Sequence, residues 1–340
     1  METLEPRLIE ALQPIRQYVI ATAVYHLFDT GLFDALSRPE AVPLRELCER
    51  HHFDSVKLEA LLKFLRNEGY VVEQESRYAL SAKGRALADF RGWYTMMIGG
   101  YGNTFLQLGK KLDRDGGWAT RDGEKVGVGS CGISHYDAIP LTRRLMEKVP
   151  HGRRMLDLGC GNGLYLVEFC KAMPHIEAWG VEPHPEGYKA AVELVRRHEL
   201  EHRIQLTCSS AVEFLASPFE WNPDFVVLGF VLHEVLAQEG EAAVIELLDR
   251  LTQRFPELNL IVIEVDYRID DPRAMQHGLS LAYYNSYYLL HPFTRQRLET
   301  EPFWDRLFER GHLEIVAKDR VSADVDSTGL TIGYLLRRRK

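Results

Sequence analysis

The chain has 340 residues, a formal net charge of −8 at pH 7 and 46% hydrophobic residues. This length suffices for two domains, and the apolar content is ordinary for a globular protein with a sizeable core. The acidic balance argues against a nucleic-acid partner, and the lack of any apolar run of about 18 residues argues against a transmembrane helix.

The cysteines are odd in number, scattered and without C-x-x-C spacing: Cys48, Cys131, Cys160, Cys170 and Cys208. This pattern favours reduced thiols over a disulfide framework or a cysteine-ligated metal. The first residues, Met1 to Pro6, lack the basic and apolar regions of a secretory signal. We therefore expect a cytoplasmic protein with neither a membrane nor a nucleic acid as partner.

Apolar residues recur at helical spacing between residues 7 and 29, which predicts a mostly helical segment. Pro14 predicts a break or kink, and Gly31 predicts the end of the segment. The stretch from Ile15 to Leu36 is apolar on more than one face. Because a helix that is apolar all round must be covered, we expect a second subunit to cover it.

Residues 43–91 have the pattern helix, helix, hairpin, with Ser55 as the expected cap of the second helix. Two short strands are expected on either side of Gln74–Ser76. This is a winged-helix pattern, which in isolation would suggest DNA binding. The second helix carries charges of both signs and no basic stripe, so a DNA-binding regulator with a vestigial cofactor site is only the third hypothesis.

Glycines and aromatic residues interleave between residues 91 and 145. A loop of this length is usually functional or disordered, and the aromatic residues favour a lid or pocket wall over a plain linker. Arg121 within it could bind a substrate carboxylate. We expect an N-terminal domain at 1–108, a glycine-rich linker or lid at 109–144 and a cofactor domain at 145–340.

The cofactor domain contains apolar runs separated at first by helical patterns. They lie at 153–158, 177–181, 203–208, 224–229, 258–265, 312–318 and 329–337. This order predicts an α/β domain with a mostly parallel, doubly wound sheet. Ligands of such sheets bind beyond the carboxyl ends of the strands, so chemistry is expected just after 158, 181, 208, 229 and 265.

The first of these strands runs into Leu-Gly-Cys-Gly-Asn-Gly, residues 158–163, and the second ends at Glu182. The glycines let the backbone approach a ligand closely, and the acid can accept hydrogen bonds from two ribose hydroxyls. The dinucleotide pattern G-x-G-x-x-G is not met, because Leu164 stands at the last glycine position. Asp157 at the strand end indicates a cofactor with a cationic amino-acid tail.

This segment closely resembles motif I of the class I S-adenosylmethionine (SAM) methyltransferases. The resemblance implies a Rossmann-like sheet of seven strands ending in a hairpin. It further implies that Asp157 and the turn hold the methionine moiety while Glu182 holds the ribose. Where the family often has an acid near the adenine, this chain has Ser209 and Ser210. The expected cofactor contacts are Asp157, Gly159, Gly161, Glu182, Ser210 and Phe230.

His233 and Glu234 follow the fourth strand. The whole chain resembles the small-molecule O-methyltransferase superfamily, whose N-terminal domain dimerises and whose histidine at this place is the general base for a hydroxyl. The resemblance implies a homodimer. It also implies one candidate activity, a metal-free O-methyltransferase with His233 as base.

His291 lies just before a Pro-Phe-Thr segment that begins a new helical pattern. Together with His233 and Glu234 it resembles a smaller group, the metal-dependent α-keto acid C-methyltransferases of bacterial peptide-antibiotic and β-methyl amino acid biosynthesis. Two imidazoles and a carboxylate would form a facial triad for zinc or non-haem iron. The leading hypothesis is therefore SAM-dependent, metal-assisted methylation of the β-carbon of a 2-oxo acid.

Four tyrosines, Tyr283, Tyr284, Tyr287 and Tyr288, share one helix face by spacing and are expected to wall the substrate site. In the C-methylation hypothesis His233 is a ligand, so the general base stays open and includes these tyrosines. The expected substrate contacts are Arg121, Tyr283, Tyr287 and Arg295. Glu264 and Asp266 are weaker candidates near the same cleft.

Overall fold

The computed structural model describes residues 3–218 and 220–339. The chain divides into two compact units, one formed by Met1–Asn103 with Arg121–Ile133 and the other by Thr104–Thr120 with Ser134–Lys340. Among the described residues, no helix has the length and apolarity needed to cross a membrane. All five cysteines carry free thiols, as expected from their spacing.

Helices dominate the residues before the large sheet. They are α1 (Leu4–Ala11), α2 (Gln13–Asp29), α3 (Leu32–Leu36), α4 (Leu44–His51), α5 (Ser55–Asn67), α6 (Ala82–Arg85), α7 (Arg91–Tyr94), α8 (Gly102–Lys111), α9 (Gly123–Ser134) and α10 (Ala138–Met146). A π-helical turn at Thr95–Gly100 follows α7. A small antiparallel sheet of β1 (Val42–Pro43), β2 (Val71–Gln74) and β3 (Arg77–Leu80) has the order β1-β3-β2.

The expected break near Pro14 is present, because α1 ends and α2 begins on either side of Leu12, with the proline in the first turn of α2. The expected cap of α5 is wrong. Asp54, not Ser55, caps this helix, and its Oδ1 accepts a hydrogen bond of 3.0 Å from the backbone N–H of Lys57. A carboxylate at this position accepts from the free N–H groups as well as a hydroxyl does.

Helix α2 is apolar on two sides, as its sequence predicts. Val24 and Leu27 are buried in the core of the first unit. Ile15 and Val19, in contrast, are 61% and 43% exposed, and they continue an exposed apolar surface that includes Leu8 and other residues of α1. Such a contiguous surface is uncommon on a monomer.

The glycine-rich segment is not the long loop that its composition predicts. Much of it is helical, in α8, α9 and α10. The glycines serve close packing instead: a Cβ on Gly129 of α9 would lie 2.4 Å from the backbone nitrogen of Met96, and one on Gly100 would lie 2.6 Å from Val126. Small residues let these helical segments approach to backbone distance.

The second unit contains the large sheet. Its strands are β4 (Arg154–Leu158), β5 (Glu177–Glu182), β6 (Ile204–Cys208), β7 (Phe225–Gly229), β8 (Asn259–Val265), β9 (Leu313–Arg320) and β10 (Thr331–Arg338). The order is β6-β5-β4-β7-β8-β10-β9, with β4 to β8 parallel and β10 antiparallel to both of its neighbours. The predicted seven-stranded, mostly parallel sheet is confirmed.

The remaining helices follow these strands. They are α11 (Leu164–Ala172), α12 (Pro185–Arg197), α13 (Ala211–Ala216), α14 (Leu232–Glu239), α15 (Glu241–Arg254), α16 (Pro272–Met275), α17 (Asn285–Leu290) and α18 (Glu301–Arg310), with a π-helical turn at Ser280–Tyr284 and a 3₁₀ turn at His291–Phe293. Side chains of β8 alternate between two apolar clusters: Ile261 and Ile263 join one, Leu260 and Val262 the other. Both faces of the sheet are therefore covered.

The strand order reverses at β4, whose neighbours are β5 and β7. Ligands in open α/β sheets bind at such a switch point, beyond the carboxyl ends of the strands. The glycine turn after β4, Glu182 on β5 and the His233 segment after β7 all fall at that edge.

The close packing of α9 can be tested with two glycines of the same helix. Gly129→Ala places a methyl group against Met96, whereas an added Cβ at the exposed Gly127 meets nothing within 4 Å. We expect Gly129→Ala to lower the free energy of unfolding by about 1–3 kcal/mol. Gly127→Ala should raise it by up to about 1 kcal/mol. Denaturant unfolding measures both, and equal effects would contradict the packing argument.

Candidate active site

The turn after β4 is shaped by glycines in the left-handed region. Gly159, Gly161 and Gly163 have φ of 91°, 54° and 74°. The N–H groups of Gly159 and Cys160 donate to the carbonyl of Val181 on β5, at 2.7 and 3.1 Å. A Cβ added at Gly159 or Gly161 would meet no atom within 4 Å, so this side of the turn is open. A ligand can therefore approach the backbone here.

Glu182, at the end of β5, is buried beside the turn. Its Oε2 accepts from the N–H of Gly161, and its Oε1 accepts from the N–H of His184, both at 2.9 Å. Each carboxylate oxygen has a second lone pair. Glu182 thus fixes the turn and could still accept hydrogen bonds from the hydroxyls of a ribose.

Asp157, at the end of β4, is half-buried. Burial, and secondly the negative charge of Glu182, raises the pKa of the Asp157 carboxyl to about 7. A cationic group placed against these two acids would favour the ionised form of Asp157 and oppose that rise. The ammonium group of an amino-acid tail has this character.

Ser210 and Phe230 lie at the same edge of the sheet and have different structural roles. Ser210 caps α13: its Oγ donates to Glu213 Oε2 at 2.8 Å and accepts from the Glu213 N–H at 3.2 Å. Phe230 has a φ of 58°, and its N–H donates to the carbonyl of Ile263. This left-handed residue turns the chain from β7 into α14.

His233, in the first turn of α14, is held by the carboxylate of Glu264 on β8. The Nδ1–H of His233 donates to Glu264 Oε2 at 2.8 Å, and the His233 backbone N–H donates to Glu264 Oε1 at 3.2 Å. The two side chains are 2% and 0% exposed. Because the carboxylate occupies the Nδ1 side, the lone pair of the neutral ring lies on Nε2.

His291, in the turn after α17, lies beside His233, and their ring centroids are 5.2 Å apart. The Nδ1–H of His291 donates to the carbonyl of Tyr287 at 2.6 Å, so the lone pair of this ring also lies on Nε2. The Tyr287 ring packs against it with centroids 4.1 Å apart. Two residues distant in the chain, 233 and 291, are thus neighbours in the fold.

Gln296 connects these residues to Glu234. Its Nε2 donates to Glu234 Oε1 at 2.7 Å and lies 3.3 Å from His233 Nε2, which accepts in the tautomer above. Its Oε1 accepts from the hydroxyl of Thr294. The amide therefore lies between the carboxylate of Glu234 and the ring of His233.

The three expected metal ligands, His233, Glu234 and His291, lie in one group, in which both histidines are buried and Glu234 is half-buried. In residues 3–218 and 220–339 no three His, Cys, Asp or Glu side chains stand arranged around a common point for a metal ion. The donor chemistry nevertheless fits a metal, because each imidazole donates its Nδ1–H to an oxygen, as metal-binding histidines do.

The comparisons with known proteins agree with this architecture. A family model described as a methyltransferase domain matches residues 133–318. The 2-ketoarginine methyltransferase of Streptomyces arginensis is 41% identical over 347 aligned positions, which cover 100% of this chain and 98% of that protein. The chain belongs to the SAM-dependent methyltransferases.

Solved structures show the same fold for this methyltransferase. The mitomycin 7-O-methyltransferase MmcR matches with a TM-score of 0.66 at 17% identity, over 98% of each chain. LaPhzM matches with a TM-score of 0.67 at 15% identity, over 99% of each chain. The expected resemblance to the small-molecule O-methyltransferase superfamily is confirmed at the level of the fold.

The tyrosines of this methyltransferase fall into two pairs. The Tyr284 hydroxyl donates to Asp326 Oδ2, and the Tyr288 hydroxyl donates to the carbonyl of Asp266. Burial raises the pKa of both phenols well above 10, so neither supplies a phenolate near neutral pH. Tyr283 and Tyr287, whose ring centroids are 5.6 Å apart, form the pair on the side of His291.

Arg295 is not brought into this group. Arg295 is exposed, with a φ of 58°, and its guanidinium donates to the carbonyl of Gln238 at 3.2 Å. Arg121 belongs to the first compact unit, where its Nη1 lies 3.4 Å from the hydroxyl of Tyr101. Asp266, a weaker candidate, accepts from the N–H of Glu301 in the first turn of α18.

Sequence reasoning gave too little weight to two residues. Glu264 is the one acid within the otherwise apolar run of β8, and a charge in a buried strand is a signal that it has a partner. Gln296 carried no signal, since an amide after a Pro-Phe-Thr segment is ordinary in composition. Its role depends on contacts with residues more than 60 positions away.

The pKa of Asp157 predicts a pH effect on stability. The folded-state pKa of about 7 lies above the ordinary value of about 3.9. The folded chain therefore binds this proton more strongly than the unfolded chain, and stability is lost as pH rises from about 4 to about 7. Without cofactor, we expect Asp157→Asn to stabilise the chain by roughly 2 kcal/mol more at pH 8 than at pH 5.

Calorimetric unfolding at the two pH values measures this difference. Glu177→Gln is the control. It removes an acid from the neighbouring strand β5, but this acid is exposed rather than buried. An equal effect of Asp157→Asn at both pH values would contradict the raised pKa.

Proposed function

We propose that this methyltransferase transfers the methyl group of SAM to the β-carbon of a 2-oxo acid, giving a β-methyl 2-oxo acid. The observation that carries the proposal is the grouping of two buried histidines, His233 and His291, with the half-buried Glu234. Its support from the comparisons is the relative aligned over the whole chain, a 2-ketoarginine methyltransferase. The product would be a precursor of a β-methyl amino acid.

We propose that SAM binds at the carboxyl end of β4. Asp157 would meet its ammonium group, the open side of Gly159 and Gly161 its methionine moiety, and Glu182 its ribose. Ser210 and Phe230 follow the neighbouring strands and are the proposed contacts of the remaining part. Helix α11 begins directly after the same turn.

We propose that His233, Glu234 and His291 hold a zinc or non-haem iron ion. When bound, such an ion would act as a Lewis acid: a 2-oxo acid would chelate it through its carboxylate and keto oxygens, and the ion would stabilise the enolate. Glu264 and the Tyr287 carbonyl hold the Nδ1 protons of the two histidines, which directs both Nε2 lone pairs to the ligand side. Gln296 would give up its contact with His233 Nε2 and keep Glu234 oriented.

The chain itself excludes water and positions the reactants. His233, His291 and Gln296 are each less than a tenth exposed. A dry site strengthens every charge interaction with the substrate and brings the nucleophilic carbon to the methyl group without a competing solvent. Of the four tyrosines, Tyr283 and Tyr287 remain as candidates for the group that accepts the β-carbon proton.

The alternative function is metal-free O-methylation with His233 as general base. One observation favours it: the 2.8 Å bond to Glu264 would hold His233 in the required tautomer and stabilise the imidazolium after proton transfer. In this alternative Glu234 and His291 carry no essential role. The two functions therefore differ in which variants lose activity.

The first experiment combines metal content with product analysis. We expect about one zinc or iron per chain, reduced more than tenfold by His233→Ala, Glu234→Gln or His291→Ala, because each removes a ligand. Methyl transfer to 2-ketoarginine should fall in parallel, with the new methyl group found on carbon by NMR. His175→Ala, an exposed histidine of the same unit, is the control and should keep both metal and activity.

O-methylated products that are indifferent to chelators, and lost only in His233→Ala, would favour the alternative. Inactivity of the metal-loaded protein on every 2-oxo acid would overturn the proposal.

We further propose a homodimer that covers the exposed apolar surface of α1 and α2, and a cytoplasmic location consistent with free thiols. Light scattering should give twice the chain mass of 39.0 kDa at micromolar concentration. Ile15→Glu should shift the protein to monomer, because it places a charge within that surface. Val56→Glu on α5, where the valine is 73% exposed, should leave the mass unchanged. A wild-type monomer would contradict the dimer.

A further inference from the structure

Two acidic side chains outside the proposed metal site share one buried region of the second unit. Asp326 lies in the loop before β10 and is 4% exposed. Asp137 is the N-cap of α10, and its Oδ1 accepts from the N–H of Ala138. Within the described residues no lysine, arginine or histidine lies within 4.0 Å of either carboxylate.

These carboxylates lie close enough to repel each other. Burial, opposed by the bond from Ala138 and reinforced by the charge of Asp326, raises the pKa of Asp137 to about 7. Both negative charges also contribute to the raised pKa of Tyr284. Asp326 is buried and Asp137 is half-buried. Two such acids without a cation are costly, and a bound cation would remove that cost.

Asp326 is oriented by the chain. Its Oδ1 accepts from the N–H and the hydroxyl of Thr328, and its Oδ2 accepts from the hydroxyl of Tyr284 at 2.5 Å. The Tyr284 hydroxyl also lies 2.9 Å from Thr331 Oγ1. Oδ1 thus accepts two hydrogen bonds, whereas Oδ2 retains a lone pair for another donor.

A buried hydroxyl lies on the same side of this helix. Ser280 is fully buried, and its Oγ has no hydrogen-bond partner in the described structure. His277 and Tyr284 both contact the loop that carries Asp326, through Ser327 and Asp326 itself. Ser280 and Tyr284 are four residues apart in the π-helical turn, which is about one turn, so Ser280 lies on the side of Tyr284 that faces this loop. An unsatisfied buried hydroxyl there indicates a missing polar partner.

The same helical stretch leads to the proposed metal site. Tyr284, Tyr287 and His291 follow at spacings of three and four residues, which places them on one face. Seven residues correspond to about 10 Å along a helix axis. A substrate with its 2-oxo acid end at His291 and a short chain directed along this face would bring a terminal group toward Asp326.

We propose that Asp326 and Asp137 bind the guanidinium group of the substrate, which makes the enzyme selective for guanidino 2-oxo acids over neutral ones of equal length. This inference rests on the proposed function and specifies its substrate. A planar guanidinium presents several N–H donors to carboxylates in fork geometry, which suits two acids and one hydroxyl acceptor better than a point charge does.

The test compares 2-ketoarginine with its ureido analogue, a neutral isostere in which oxygen replaces one guanidinium nitrogen. Wild-type enzyme should prefer 2-ketoarginine by about 100-fold or more in kcat/KM. Asp326→Asn and Asp137→Asn should each lose most of that preference. In both variants kcat/KM for 2-ketoarginine should fall, while kcat/KM for the ureido analogue should stay within a few-fold of the wild-type value. Asp324→Asn, an exposed acid of the same loop with the same charge change, should keep the preference.

Calorimetric binding of both ligands, with S-adenosylhomocysteine present, separates the possible failures. Tighter binding of 2-ketoarginine that depends on Asp326 and Asp137 supports the inference even where turnover fails, and failed turnover then counts against the proposed reaction alone. Equal loss for both ligands in the variants assigns the acids a structural role and overturns the inference. Wild-type enzyme that does not distinguish the two ligands overturns it as well. Tyr284→Phe, which keeps both carboxylates, should retain the preference if the charges carry it.

Discussion

The second unit of this protein depends on one buried hydrogen bond, between Glu264 and His233. A carboxylate in the middle of a sheet is unfavourable unless it is paired, and Glu264 meets this requirement with both the ring and the backbone of His233. The bond fixes the first turn of α14 and hence the direction of Glu234. It also orients Nε2 of His233 toward Gln296 and brings the β8 strand into the site.

A large part of the fold could be predicted because the apolar periodicity of a strand or helix is a local property. All seven strands of the large sheet begin and end within two residues of their expected positions. The residues grouped at the switch point follow from strand order, since residues after neighbouring parallel strands meet at one edge of the sheet. The proximity of His291 to His233 followed only from a family resemblance, and the structure shows the two rings 5.2 Å apart.

What could not be predicted depends on contacts between distant segments. Composition suggested a loop in the glycine-rich segment, whereas the glycines permit helices to pack at backbone distance. This packing depends on the segment that each glycine meets, which the local sequence does not contain. The four tyrosines share a spacing, yet two of them are committed to hydrogen bonds with Asp326 and Asp266. Arg295 follows the site in sequence, but its left-handed backbone turns it to the carbonyl of Gln238.

The position of β10 has a consequence for how the second unit is made. This strand is late in the chain, yet it lies between β8 and β9 rather than at an edge. During synthesis the hydrogen-bonding edge of β8 must therefore wait for residues 331–338, although β4 to β8 can already pair. Until then the strand that carries Glu264 presents an open, apolar edge, which is the type of surface that recruits other chains. The edge of β8 is thus among the last parts of the sheet to be paired.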